Sequence, residues 1–152
     1  MRKFLLASAL AATALLWGAP FASAQQFGTA AEARAMLDRA VTELKANEAA
    51  AIAKFNDKDN KQFQDRDLYV FCFNTTDGKF MAHPNPALMG TDMRALKMGD
   101  DPLGQKIFDQ VKDGTVTSVS YSFPKPGTTD PAPKESYITR VGNQGCGVGY
   151  YK

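Results

Sequence analysis

Few side chains in this sequence could do chemistry, and the most distinctive is its one histidine, His83. His83 follows a short apolar run and precedes Pro84 and Pro86. Because proline lacks a backbone donor and fixes φ, the chain must leave any sheet at this point. We therefore expect His83 at the end of a strand, beside a stiff loop. Its ring could line a pocket or lie partly exposed on the surface.

The residue patterns of the common catalytic sites do not occur in the sequence. A single histidine and no Gly-x-Ser-x-Gly segment give no support to a nucleophilic triad. The two cysteines lack the short spacing of a redox or haem motif, and there is no glycine loop that could cradle phosphate. The sequence therefore predicts a protein that is not an enzyme and that carries no metal or other cofactor.

A small set of polar and aromatic residues remains for binding. They occur on predicted strands near a methionine-rich segment, residues 88–98, that could cover a sheet. The set is His83, Tyr121, Lys134 and Tyr137. Together these residues favour a small polar or anionic ligand, although either tyrosine could instead belong to the core and Lys134 could be a solvated strand end.

The first 24 residues have the pattern of a secretory signal peptide. A basic start is followed by an apolar stretch and then by Ala22-Ser23-Ala24, a small-residue cleavage site. Cleavage there would leave residues 25–152 as one domain, periplasmic or secreted; the alternative is an uncleaved anchor. The leader contains two of the 18 basic residues and none of the 16 acidic ones, so the mature chain is neutral. Neutrality argues against nucleic acid as a partner.

Cys72 and Cys146 are the only cysteines. An even number of cysteines in an exported chain favours a disulfide. The alternative is two buried thiols that never meet. A bridge requires the two strands that carry them to lie side by side.

The element pattern begins with a long amphipathic helix over about residues 29–55. Thr29 and Glu32 form the sequence pattern of a capping box, and alanine-rich apolar positions recur at helical spacing. This helix could pack within the domain; alternatively the protein is an interaction module without a small ligand, and the helix mediates a homodimer or docks on a membrane receptor. Residues 56–67 are charged and without period, and they predict a linker.

The rest of the chain predicts an antiparallel sheet with a second helix. Asp77-Gly78 predicts a two-residue hairpin turn. In the first strand, odd and even positions are both apolar, which indicates that both faces of the sheet are covered. Glycines alternate along the last strand, which allows close approach of another backbone or a ligand. The predicted strands are 68–74, 79–83, 115–123, 134–141 and 145–151, and the predicted helix is 102–112.

The order of these pieces resembles a single Cache domain. The similarity lies in the long helix and in the segments Asp-Gly-Lys at 77–79, His-Pro-Asn-Pro-x-Leu-x-Gly at 83–90, Pro-Lys-Pro-Gly at 124–127, Lys-x-Ser-Tyr at 134–137 and the glycine-rich end at 145–151. The resemblance implies an α+β fold, with a PAS-like antiparallel five-stranded sheet, a long N-terminal helix on one face and a helix and loop cover on the other.

The same resemblance implies a function and a site. Such domains sense extracytoplasmic small molecules, often short organic acids, so the implied ligand is a small organic anion. The implied partner is a membrane chemoreceptor or sensor kinase. The family pocket, between the sheet and the segment after the second strand, carries over to His83, Tyr121, Lys134 and Tyr137. The usual strand order places the first strand beside the last, and hence Cys72 beside Cys146.

Overall fold

The N-terminal helical region is two helices rather than one. A computed structural model of the protein describes residues 26–152, so the predicted leader lies outside the described residues. Helix α1 spans Ala30–Ala46 and α2 spans Glu48–Asn56. The predicted capping box is present, since Thr29 and Glu32 each accept a hydrogen bond from the other's backbone N–H.

The break between the helices corrects the prediction of a single helix over 29–55. Asn47 has extended backbone angles, and its N–H bonds to the Glu43 carbonyl to end α1. Its side chain then accepts a hydrogen bond from the N–H of Ala50 and caps α2. Asparagine is suited to this position because its side chain competes with the helix for backbone donors.

The sheet is antiparallel and contains six strands in the described residues. In chain order the strands are β1 (Gln64–Asp65), β2 (Leu68–Asn74), β3 (Phe80–Ala82), β4 (Thr117–Pro124), β5 (Pro131–Val141) and β6 (Gln144–Tyr151). Helix α3 (Leu103–Gln110) lies between β3 and β4 in the chain. The order is β1-β2-β6-β5-β4, with β3 also paired to β2. This arrangement confirms the α+β class and the first strand beside the last; the sixth strand, β1, lies in the predicted linker.

Alternation along β2 assigns the two faces of the sheet. Leu68, Val70 and Cys72 belong to the core under α1 and α2, whereas Phe71 and Phe73 belong to the core under α3. The predicted two-sided burial of this strand is therefore confirmed. The apolar stripe of α1 is buried in the first core, as expected if the helix packs within its own domain. Its buried residues are Ala33, Met36, Leu37, Ala40 and Leu44.

The connection from β2 to β3 is longer than the predicted two-residue turn. The loop includes residues 75–79, and Asn74 organises it by accepting hydrogen bonds from Gly78 N and, through its side chain, from Thr76 N. Gly78 has φ of +78°, which glycine adopts without strain. The register therefore depends on the Asn74 side chain as well as on glycine.

After β3 the chain leaves the sheet at the prolines, as predicted, and then returns to it. Phe80 N bonds to Thr91 O at 2.9 Å, and Gly90 N bonds to Phe80 O at 3.0 Å. Two short 3₁₀ turns, Pro86–Leu88 and Met93–Ala95, precede α3. Residues 83–102, named the lid here, are thus anchored to the edge of β3 and to α3.

Cys72 and Cys146 form a disulfide between directly opposed residues of β2 and β6, with a Cα–Cα distance of 4.1 Å. The bridge favoured by the cysteine count is thus present, on the face of the sheet that α1 covers. Among residues 26–152, no helix has the length and apolar character needed to cross a membrane.

Candidate functional site

A pocket lies between the sheet and the cover formed by the lid and α3. It is lined mainly by apolar and aromatic side chains: Tyr69, Phe71, Phe80, His83, Met93, Leu96, Leu103, Ile107, Tyr121 and Phe123. The cavity volume is about 20 Å³, enough for roughly one water molecule. An organic ligand therefore requires the lid or its side chains to move outward.

Lys134 of β5 is buried beside this pocket, with 2% of its surface exposed. Its Nζ lies 4.8 Å from the ring centroid of Tyr69, 4.6 Å from that of Tyr151 and 5.4 Å from that of Phe123. It also donates to Tyr69 Oη at 3.4 Å. Ring faces attract a cation, so the ammonium lies in an aromatic cage.

Two features of the cage describe the space around the Lys134 side chain and the state of its charge. A Cβ atom on Gly149 would lie 2.7 Å from Cε of Lys134, so a larger residue there would displace the lysine side chain from its present path. Lys134 forms no salt bridge with any described residue. Burial lowers the pKa of Lys134 to about 8, against an opposing effect of the Asp67 charge.

His83 faces the pocket as a neutral ring. Its Nδ1 accepts a hydrogen bond from Asn85 N at 2.9 Å, which assigns the ring proton to Nε2. The ring lies edge-on to Tyr69 at 5.2 Å and to Phe80 at 5.5 Å. Burial, and then the charge of Lys134, lower its pKa to about 4. At neutral pH His83 is therefore a donor without charge.

Tyr121 completes the polar end of the pocket. Its hydroxyl pairs with Ser136 Oγ at 2.7 Å, and burial raises its pKa to about 12. Burial also raises the pKa of Tyr69. Both phenols therefore stay neutral and can donate or accept a hydrogen bond at physiological pH.

The structure does not bring Tyr137 to this site, which corrects the predicted set of four. Lys134 and Tyr137 are three residues apart in one strand, so their side chains point to opposite faces. Tyr137 packs against the core under α1 and stacks on Tyr150 at 5.7 Å between ring centroids. The residues that do come together are His83, Tyr121 and Lys134.

The sequence prediction omitted Tyr69 and Tyr151, two rings of the cage. Alternation along β2 already placed Tyr69 on the same face as Phe71 and Phe73, so this residue could have been included. Tyr151 could not, because its position depends on the β5–β6 register that sets it opposite Lys134.

The geometry thus offers one neutral N–H and two phenols in the lining of an apolar pocket, and one buried cation that packs behind two of the lining rings. That combination suits a carboxylate with a short apolar tail, because charge-assisted hydrogen bonds would fix the carboxylate and the lining would bury the tail. No group of three metal-ligating side chains occurs in the described part of the chain.

Three solved structures share this fold. A methyl-accepting chemotaxis protein from Vibrio parahaemolyticus RIMD 2210633 has 22% identity and a TM-score of 0.63, over 80% of this chain and 86% of that one. A periplasmic sensor domain of a chemotaxis protein has 24% identity and a TM-score of 0.59, over 78% and 87%. A Cache chemosensory domain described for carboxylic acid recognition has 21% identity and a TM-score of 0.53, over 78% and 85%.

No curated protein matches the chain. The family model for the Cache domain, dCache_2, matches residues 33–145, from α1 to the start of β6. The chain therefore belongs to the Cache domain family.

Proposed function

We propose that the protein is an exported sensor-type Cache domain that binds a small organic acid between the sheet and the lid. Lys134 supplies the charge for the ligand's carboxylate, and His83, Tyr121 and Tyr69 supply hydrogen bonds. The ligand's tail lies against the apolar lining under α3.

The observation that carries this proposal is the buried ammonium of Lys134 without a salt bridge. Removing a charge from water costs several kcal/mol unless a partner compensates it. Aromatic faces compensate only part of this cost. A ligand carboxylate placed against Nζ would supply the missing partner.

The side chains that line the pocket restrict which class of acid it can bind. The other polar groups at the pocket are neutral, so a second carboxylate on the ligand would be buried without a partner. We therefore propose a monocarboxylate with a short apolar tail. The carboxylic acid recognition described for one structural neighbour is consistent with this class.

The setting of the domain is proposed from the leader and the family. Residues 25–152 form the mature domain, released to the periplasm or the medium by cleavage after Ala24. Its ligand state would be passed to a membrane chemoreceptor or sensor kinase, since the structural neighbours include chemotaxis proteins.

A thermal-shift screen of short monocarboxylates, dicarboxylates and amino acids on the mature protein tests the proposal. Saturation at 100 times Kd should stabilise the fold by about 2.7 kcal/mol, and only monocarboxylates should do so. The Lys134→Met variant should lose the shift. Tyr137→Phe, on the opposite face of the same strand, is the matched control and should keep it. The absence of a shift with every acid would overturn the proposal.

A further inference from the structure

A surface groove of about 430 Å³ adjoins the pocket at Tyr69. Three loops border it: the connection from α2 to β1, the start of the lid at Pro84 and Asn85, and the β4–β5 loop at Pro126. Tyr69 lines both the groove and the pocket. This ring therefore lies between a space open to solvent and the closed space under the lid.

The partition between the groove and the pocket is formed by the contact of two rings. Tyr69 and His83 meet edge-on, with 5.2 Å between their ring centroids. His83 is held by the lid itself, since Asn85 N donates to His83 Nδ1 at 2.9 Å and Asn85 lines the groove. An outward movement of this part of the lid would separate His83 from Tyr69 and join the two spaces.

The charged side chains of the groove are mainly basic. Lys58, Lys61 and Arg66 line it, against one acidic residue, Asp67. Arg66 pairs with two carboxylates outside the groove. Lys58 and Lys61 are exposed and form no salt bridge with any residue in 26–152. Two ammonium groups are thus free to attract an anion from solution.

Asp67 makes the groove a passage rather than a final binding site for an anion. It is the buried acidic member of the lining, with 3% of its surface exposed. Its Oδ1 accepts a hydrogen bond from Gly28 N at 2.6 Å, and its buried Oδ2 has no hydrogen-bond partner in the described part of the chain. An acid that settled deep in the groove would meet this like charge, which is unfavourable.

A second surface groove meets the pocket at another residue and has the opposite charge. It shares Tyr121 with the pocket. Asp101 is its charged lining residue, and no basic side chain is among the described residues that line it. Of these two approaches to the pocket, the groove at Tyr69 is therefore the one whose charge favours an anion.

We propose that the groove at Tyr69 is the entrance to the pocket, and that Lys58 and Lys61 form an outer subsite that captures the carboxylate of an organic acid. The acid then passes between Tyr69 and His83 when the lid moves. This inference rests on the proposed function, because it assumes that an acid binds in the pocket beyond these rings.

The rates of propionate binding to the mature protein test the proposal, and NMR relaxation dispersion at partial saturation measures them. At about 10 mM ionic strength, Lys58→Gln combined with Lys61→Gln should lower the association rate constant about fivefold, because the attracting charges are gone. At about 0.5 M salt the difference should almost vanish, since the charges are screened. The dissociation rate constant should stay within about twofold of the wild type, because the bound acid lies beyond the groove.

A matched control removes the same charge elsewhere on the surface. Lys45 and Lys112 are exposed, form no salt bridge with any residue in 26–152 and do not line the groove. Lys45→Gln combined with Lys112→Gln should keep the association rate constant within about 1.5-fold of the wild type. An equal loss in the control, or an unchanged rate in the groove variant, would overturn the proposal. Faster dissociation with unchanged association would also overturn it, since the lysines would then belong to the final site.

A second measurement needs no organic acid. The one tryptophan of the sequence, Trp17, lies in the leader, so Pro126→Trp gives the mature protein a single fluorescent reporter in the groove. Quenching of this reporter by iodide should fall about twofold when Lys58 and Lys61 are both changed to glutamine. Quenching by neutral acrylamide should not change.

The two measurements separate the entrance from the proposed function. If the wild type binds none of the screened acids, the proposed function fails, and iodide quenching still decides whether the groove attracts anions. Equal iodide quenching with and without the two lysines would overturn the outer subsite.

Discussion

Lys134 combines a cost in stability with the binding role proposed for it. Burial lowers its pKa from 10.5 to about 8, so the unfolded chain binds this proton more tightly than the folded one. Below pH 8 the fold therefore bears the whole penalty, and between about pH 8 and 10.5 the penalty declines as pH rises. Below pH 8, where the proposed acid would bind, the buried ammonium therefore lowers the stability of the fold.

Lys134→Met should therefore stabilise the protein while abolishing acid binding. We expect the free energy of unfolding at about pH 6.5 to rise by about 1–2 kcal/mol, less than the pKa shift alone implies because the contacts with three rings are lost. Urea denaturation measures this change. Lys97→Met, at an exposed position, is the control and should have almost no effect. A destabilised Lys134→Met protein would contradict the argument.

The lowered pKa of His83 predicts that the protein loses stability as the solution becomes acidic. Its pKa is lowered to about 4, so between its ordinary value of 6.5 and about 4 the unfolded chain binds a proton that the folded chain does not. Stability should therefore fall as pH falls through that window. Between about pH 7 and 4.5, the wild type should lose about 2 kcal/mol more than His83→Gln. Denaturation curves of both proteins at the two pH values measure this difference. Equal losses of unfolding free energy in the wild type and His83→Gln would contradict the prediction.

Strand β6 shapes the site through its glycines rather than through functional side chains. A Cβ on Gly149 would lie 2.6 Å from Ser136 Oγ and 2.7 Å from Lys134 Cε, and a Cβ on Gly145 would lie 2.5 Å from the Phe73 ring. A larger residue at either position would have to displace these neighbours, which belong to the cage at Gly149 and to packed core at Gly145. Within one strand, Gly149 therefore lies against residues of the proposed site, whereas Gly145 lies against a core side chain.

Gly149→Ala and Gly145→Ala form a matched pair that tests this separation. Both should destabilise the fold by about 1–3 kcal/mol through overpacking. Only Gly149→Ala should weaken acid binding, by about tenfold or more, because it displaces Lys134 and the Tyr121–Ser136 pair. Calorimetry on both folded variants measures the difference. Equal affinities would show that Gly149 does not position the cage.

At the scale of helices and strands, local sequence patterns predicted some features of the fold and missed others. Alternation in β2 predicted both faces of the sheet, and the Thr29–Glu32 pair predicted the start of α1, because both are local effects. The break at Asn47 was missed since apolar spacing continues across it, from Leu44 to Ala51, while one side chain caps the next helix. β1 is too short to show a pattern.

The site was predicted less completely for two different reasons. Tyr137 was assigned to the pocket despite a spacing from Lys134 that places it on the opposite face, so alternation alone would have removed it. Tyr151 lies 17 residues from Lys134 in the sequence and meets it only through the β5–β6 register. Such contacts are properties of the whole sheet and have no local signal.

At the scale of the molecule, the two faces of the sheet differ in their contents. The face under α1 and α2 is a packed core that includes the Cys72–Cys146 disulfide. The face under α3 contains the pocket, the buried lysine and the lid. Ligand entry requires movement only on the second face, so stability and binding can respond separately to change.

Removal of the disulfide tests this division. The bridge closes a sequence separation of 74 residues between β2 and β6, and in the chain-entropy model such a loop contributes about 4 kcal/mol by restricting the unfolded state. The double variant Cys72→Ala and Cys146→Ala should lose roughly that much free energy of unfolding in urea denaturation. Where it remains folded, it should bind acids with wild-type affinity, since the cysteines face α1. Loss of binding in the folded variant would show instead that the pocket depends on the opposite face of the sheet.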